Sequence, residues 1–350
     1  QFAFKATNYY LDLIKWDDPS DPLRRIIVPH LDELSEWGET DPSDEASITS
    51  LPGLQHKYTH TALLLLSEGC AGFCRYCFRK RVFHKDNREI REDVEDGIRY
   101  IREHSSINNV LLTGGDPLML STKRLAEVIK QLREIPHVKI VRIGSKVPAY
   151  WPQRILEDKE LLEMFRRYST PERRMYLMCH FSHPRELTDV ALSAADALIK
   201  AGVILCNQTP IIRGVNDSSL VLAKLLNKLS AAGITPYYLF QCRPTKGNLK
   251  YSLPLVEAYS IIEYAKRFVH GLGKRARFVM SHEFGKIEIV GVTASHIFLK
   301  FHRAKDRRDE GRFLVFRRDD AAYWYDDLLA QECSEGVIAT GAPHSAERVE

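Results

Sequence analysis

Thr61-Ala-Leu-Leu-Leu-Leu-Ser67-Glu-Gly-Cys70-Ala-Gly-Phe-Cys74-Arg-Tyr-Cys77 decides the fold of this chain and much of its chemistry. The first half, TALLLLS, is a short apolar run bounded by polar residues, the pattern of a strand buried on both faces. The second half sets three cysteines at C-x3-C-x2-C spacing directly after that strand. Iron–sulfur clusters of the [4Fe–4S] type are normally held by four thiolates. A loop offering three leaves one iron open, and an open iron can chelate a small molecule. Zinc is the competing ligand, with His84 or His60 as fourth donor. Zinc sites usually pair two C-x2-C units, or one with a distant His pair, and neither spacing recurs here. The spacing therefore favours a cluster on Cys70, Cys74 and Cys77.

Outward from this stretch, short apolar runs alternate with helical patterns. Strands are expected at Asn109–Thr113, Lys139–Ile143, Arg174–Cys179, Val203–Asn207 and Pro236–Phe240. Helices are expected between them, at Arg91–Glu103, Lys123–Arg133, Asp158–Tyr168, Leu187–Ala201, Ser219–Ala232 and Val256–Val269. Strands without polar alternation, each followed by a helix, indicate a parallel sheet covered by helices. Six such units predict an α/β fold, a partial (β/α)6 barrel over residues 56–274, with its chemistry on the loops after the strands' C-terminal ends.

Residues 1–55 read as a helical or irregular extension punctuated by Asp18-Pro19, Asp21-Pro22 and Asp41-Pro42. Residues 275–330 read as β-rich, with strands at Arg277–Met280, Lys286–Val290, His296–Phe301 and Arg312–Arg317. The basic stretch His302–Arg312 reads as a solvated turn region. Residues 331–350 are poor in large apolar side chains and read as a disordered tail. A chain opening on Gln1 reads as a trimmed one.

Composition excludes several function classes. With 44% hydrophobic and 27% charged residues the 350-residue chain is ordinary globular material. A net charge of +4, spread along the chain, gives no nucleic-acid footprint. No apolar run approaches a membrane span and no signal-peptide pattern is present. Seven cysteines without a framework spacing suit a reducing compartment, so a cytoplasmic protein is expected.

The cysteine loop, with Phe78 after its last cysteine, is the signature of radical S-adenosylmethionine (SAM) enzymes. In them the open iron holds the amino and carboxylate groups of SAM, and an electron splits SAM into methionine and a 5′-deoxyadenosyl radical. One βα unit later comes Thr113-Gly114-Gly115-Asp116-Pro117. Two glycines let the backbone approach a ligand closely, and exposed carbonyls there can accept from the SAM ammonium. Alone, Gly-Gly-Asp-Pro is a common turn composition; its position after the second strand makes it a SAM-binding candidate.

A closer resemblance rests on Pro52-Gly-Leu-Gln-His-Lys57-Tyr58, Arg79-Lys80-Arg81, His180-Phe-Ser-His183-Pro-Arg-Glu186 and Asn207-Gln208-Thr209 with Arg213-Gly-Val-Asn-Asp217. From about Asn8 to Val290 the chain resembles the lysine 2,3-aminomutase family. The resemblance implies SAM and pyridoxal 5′-phosphate (PLP) as cofactors and transfer of an amino group from the α to the β carbon of an amino acid. It implies an electron donor such as flavodoxin or ferredoxin, and leaves open a homo-oligomer. It assigns Arg79 to the substrate α-carboxylate, Lys57 to the PLP phosphate and Lys286 to covalent attachment of PLP. His180, Asn207 and Gln208 are candidates for cofactor contact, with capping or core roles as the alternative for His180 and His183. Asp217 reads as the N-cap of the next helix.

Departures from the family pattern are as informative. The glycine run before the PLP lysine is replaced by His282-Glu283-Phe284-Gly285, and Thr61 replaces an arginine that often helps hold the phosphate. Lysine-specific enzymes place two aspartates around the substrate ε-ammonium. Here the first position is Arg243, after Cys242, and the second is Met280 or Ser281. A cation in place of an anion reverses the preference, so the expected substrate is an amino acid with a neutral or acidic side chain, bound by Arg79 and Arg243. Two other readings remain: a radical SAM enzyme without PLP, and an iron–sulfur redox protein.

Overall fold

The computed structural model describes residues 3–83, 89–91 and 93–335. Twelve strands form one sheet in chain order: β1 (Thr49–Leu51), β2 (Leu54–Tyr58), β3 (Thr61–Ser67), β4 (Asn109–Gly114), β5 (Ile140–Ser145), β6 (Met175–Cys179), β7 (Ile204–Pro210), β8 (Thr235–Phe240), β9 (Arg277–His282), β10 (Gly285–Val292), β11 (His296–Ala304) and β12 (Phe313–Arg317). Strands β3 to β9 pair in parallel, and the strands on either side pair antiparallel. The sheet is open. Its two ends approach through side chains: Lys305 on Ser47, Arg303 on Thr61, and Lys57 on the carbonyl of His282.

The helices are explained by their apolar spacing. In Thr122–Arg133, Leu125, Val128, Ile129 and Leu132 fall at i, i+3, i+4 and i+7 and are fully buried, while Ser121 caps the first turn by accepting from the Arg124 N–H at 3.2 Å. Each such burial stabilises by roughly 1.5–3 kcal/mol, an upper figure because the unfolded chain is itself partly compact. One apolar core lies between the parallel strands and their helices; a second joins β9–β12 to helices Ser219–Ala231 and Leu255–Lys266.

Four expectations need correction. Residues 1–55 are not only helical or irregular: Thr49–Leu51 and Leu54–Tyr58 make a hairpin through Pro52-Gly53, with Gly53 at φ +82°. The first strand of the β-rich region pairs in parallel with β8, so that region continues the barrel sheet. Residues 331–335 complete a helix, Tyr325–Glu335, in place of a disordered tail; 336–350 lie outside the described residues. Finally, His302 and Arg303 belong to β11 and pack inward, while residues 305–308, 310 and 311 are exposed.

Candidate active site

The cysteine loop leaves the C-terminal end of β3, as the barrel rule requires, and the segment after β4 packs directly on it. The Gly115 and Asp116 N–H groups donate to the carbonyls of Ser67 (2.5 Å) and Gly69 (2.7 Å). A Cβ on Gly115 would lie 2.5 Å from the Gly69 carbonyl oxygen, and Gly114 has φ +116°. Both glycines are therefore required by close packing of one loop on the other. Gly115→Ala is expected to push the cysteine loop aside, lowering iron content and SAM cleavage of the reconstituted protein together. Unchanged iron content would show that the loop accommodates the methyl group.

The Asp116 carboxylate turns away from the mouth. It accepts from the Leu118, Lys146 and Val147 N–H groups and from Ser145 Oγ. Burial nevertheless pushes it up to about 6. What this segment can offer SAM is backbone.

Burial also raises the thiols of Cys70, Cys74 and Cys77, the last to about 11. Cys74 Sγ lies 3.0 Å from the Tyr150 hydroxyl. Among the described residues, the sole trio of His, Cys, Asp or Glu ligand atoms within 4.8 Å of one another is His282, Glu283 and Asp326, so the sulfurs of Cys70, Cys74 and Cys77 are not all that close together. Sulfurs around one tetrahedral zinc would be only ~3.8 Å apart, given Zn–S bonds of about 2.3 Å. The three sulfurs as placed are not gathered to that spacing. His60 is at the opposite end of β3, bonded to the Ser106 carbonyl, and is no fourth ligand; His84 lies outside the described residues.

His180 is placed on the cysteine loop: its Nε2 is 3.1 Å from the Tyr76 hydroxyl, and burial with Lys146 nearby holds it neutral. His183 caps a short 3-10 turn with Glu186, and Glu186 also takes the Lys146 ammonium at 2.9 Å. Asn207 has its whole amide engaged, with Phe181 N–H, Phe181 O and Thr209 Oγ1. It positions the 180–183 loop, whereas the side chain of the half-buried Gln208 beside it forms no hydrogen bond among the described residues. Asp217 is not the N-cap: Ser218 holds that position and Asp217 accepts from the Gly214 N–H at 2.9 Å.

Arg79 is buried, and its fork is taken by Glu45 at 2.8 and 3.1 Å, with Thr113 Oγ1 on Nη1 at 3.1 Å. Arg81 adds a contact to the same carboxylate at 2.6 Å. Glu45 is the residue the sequence reading missed. Burial alone would raise it, yet the cations of Arg79, Arg243 and Arg81 hold it down at about 2. Arg243 lies flat on Phe78, 3.6 Å from the ring centroid, and its buried Nη1 has no hydrogen-bond partner.

Lys286 faces the barrel interior, its ammonium nitrogen 4.7 Å from the Phe240 ring and 5.1 Å from the Tyr238 ring. The β9–β10 register puts Ser281 opposite it and Met280 opposite Ile287. Met280 belongs to the second apolar core, so Ser281 is the residue sharing the face of Lys286. Burial first, then Arg243, Arg303, Lys57 and Arg142, lower Lys286 well below the usual lysine range. Burial and the cations of Arg243 and Lys305 bring Lys57 to about 7. An amine that is neutral at physiological pH is the form that condenses with an aldehyde.

Comparison with known proteins identifies the family. Residues 64–226 match the Radical SAM superfamily. A protein of Aquifex aeolicus named "Putative L-lysine 2,3-aminomutase" is 52% identical over 93% of this chain and 88% of its own length. The chain belongs to the lysine 2,3-aminomutase family of radical SAM enzymes. It is thus an enzyme of the aminomutase type, an isomerase, built for a [4Fe–4S] cluster and SAM. The L-lysine 2,3-aminomutase of Clostridium subterminale is 40% identical over 73% of this chain and 61% of its own. The glutamate 2,3-aminomutase of Clostridioides difficile is 32% identical over 78% and 64%. No helix among the described residues is long and apolar enough to cross a membrane.

Proposed function

We propose that this aminomutase works with PLP attached at Lys286 on an amino acid whose side chain ends in a carboxylate. The observation that carries the substrate class is Arg243: a buried guanidinium on Phe78 with an unpartnered Nη1, at the position where lysine-specific relatives place an acid. A planar fork suits a carboxylate, and the same charge repels an ammonium. Overall identity favours the lysine enzymes, whereas the charge of Arg243 favours an acidic substrate. Substrate choice follows the pocket, because the charge there acts on the substrate and the remaining differences do not.

The fit of the chain to its cofactors supports the rest. Cys70, Cys74 and Cys77 would hold the cluster, and the backbone of Gly114 and Gly115 would face SAM. Beside the uncharged Lys286 amine, Lys57, Arg142 and Arg303 form a basic wall that has no carboxylate within ion-pair distance among the described residues, which suits the phosphate of PLP. When bound, cluster and SAM supply the radical that removes a β-hydrogen, and PLP holds the migrating nitrogen. The protein's own part is to orient and exclude. Lys286 presents an uncharged amine between two aromatic rings, Arg243 fixes the distal end of the substrate, and Arg79 has one Nη1 hydrogen available for the α-carboxylate while Glu45 keeps its fork in place.

The test is borohydride reduction of the cluster-replete protein incubated anaerobically with PLP, followed by peptide mapping, then assay of glutamate and lysine with SAM and a reductant. A phosphopyridoxyl group on Lys286 and conversion of the acidic amino acid to its β-isomer are expected. Label elsewhere, or lysine converted faster than glutamate, would overturn the proposal.

A further inference from the structure

The register of β10 and β11 places Arg303 directly opposite Lys286. Like charges at directly opposed positions of an antiparallel pair destabilise it. Neither side chain has a carboxylate within ion-pair distance among the described residues; Lys286 relieves the repulsion by giving up its proton, and the Arg303 charge stays without an acid partner. Arg303 is nonetheless held firmly. Its guanidinium stacks on Tyr58, 4.0 Å from the ring centroid, and its Nη2 donates to Thr61 Oγ1 at 3.1 Å, the one hydrogen bond its side chain makes among the described residues.

Lys57, one residue before Tyr58 on β2, reaches across to the His282 carbonyl in the hairpin that precedes Lys286. Arg142 on β5, bonded through Nε to Asn109 Oδ1 at 2.9 Å, adds a further cation that acts on Lys286. Three elements far apart in sequence thus bring basic groups to one amine with no carboxylate within ion-pair distance among the described residues, although Glu45 and Glu283 act on Lys57 from further away. The two lysines can give up their protons, but the guanidiniums of Arg303 and Arg142 stay charged, and a multiply charged anion would be held by them.

We infer that Arg303 is the principal arm for the phosphate of PLP, acting with Lys57, and that this position on β11 does the work that a side chain at position 61 is too short to do. The inference rests on the PLP reading above. Thr61 ends beside the Arg303 guanidinium, so an arginine introduced at 61 would bring its own fork to the same place.

The experiment measures phosphopyridoxyl label on Lys286 against PLP concentration, with pyridoxal, which lacks the phosphate, as comparator. Arg303→Met is expected to raise the half-saturating PLP concentration roughly tenfold to a hundredfold, the worth of one charge-assisted hydrogen-bonded pair. Half-saturation by pyridoxal should stay as in the unmodified protein. Thr61→Arg in the Arg303→Met background should recover most of the lost PLP affinity. Equal weakening for PLP and pyridoxal would reduce Arg303 to a packing residue on Tyr58, and no change for PLP would overturn the inference outright. If the unmodified protein takes no label at Lys286, the PLP reading falls and this one with it; label that is indifferent to Arg303 removes this one alone.

Discussion

Arg243→Asp is expected to cost the enzyme at least about 100-fold in kcat/KM on an acidic amino acid and to make lysine the better substrate. Two unit charges about 4 Å apart interact by about 4 kcal/mol at an effective dielectric constant near 20, and the substitution changes the sign of that interaction. A discrimination of two orders of magnitude needs less than 3 kcal/mol. The new carboxylate would also face Glu45, whose charge Arg243 now helps to hold, so Arg243→Gln is the necessary companion. Glutamine removes the cation without adding an anion. It should lose the acidic substrate and gain nothing on lysine. Initial rates on glutamate and lysine for the three proteins decide the matter; an unchanged preference in Arg243→Asp would show that the guanidinium never meets the substrate.

The cysteine loop, the segment after β4 and the βα alternation were legible because each is local: spacing within ten residues, or a period within one element. Strand TALLLLS has the bounds the sequence implied, and the other parallel strands differ by a few residues at their ends. What escaped was non-local or masked by composition. The β1–β2 hairpin has no apolar run, only Leu54-Gln-His-Lys-Tyr58, although Pro52-Gly53 carried a turn signal with a glycine at positive φ. Helix Tyr325–Glu335 opens on Asp326 and Asp327, which hide the apolar side of a helix anchored by Tyr325 and Leu328 in the second core.

The same division runs through the active site. Arg303 lay in a stretch of basic residues, and nothing in a charge run distinguishes the one whose strand position turns it inward. Its role follows only from being opposite Lys286 across a hairpin whose register no single-sequence pattern supplied. Glu45 stands in an Asp-Pro loop that reads as punctuation. Its partners Arg79, Arg81 and Arg243 are 34, 36 and 198 residues away by number, and a net charge says nothing about which acid meets which base. Met280 and Ser281 were equivalent by alignment, and strand alternation separates them at once.

Glu45→Gln is expected to destabilise the protein by about 3–5 kcal/mol, the cost of leaving buried charge uncompensated. Its carboxylate is nearly fully buried, takes both ends of the Arg79 fork and one N–H of Arg81, and lies close to Arg243. The direction of its titration gives the same scale. Burial opposes ionisation, yet the group is held at about 2 against an ordinary value of 4.5, a difference of about 3 kcal/mol. Because the folded value is depressed, that stabilisation is complete above about pH 4.5 and is lost as pH falls toward 2. At neutral pH, then, the full effect should appear as a lower urea midpoint for Glu45→Gln. Arg79→Met alone should also destabilise, and the double variant should lose less than the sum, since each single change strands the other partner. Additive losses would mean that Glu45 and Arg79 are stabilised separately. Coupling of 2 kcal/mol or more would establish Glu45 as the group that keeps the arginine fork assembled beside the cysteine loop, leaving one Nη1 hydrogen of Arg79 and the freer guanidinium of Arg243 for a substrate.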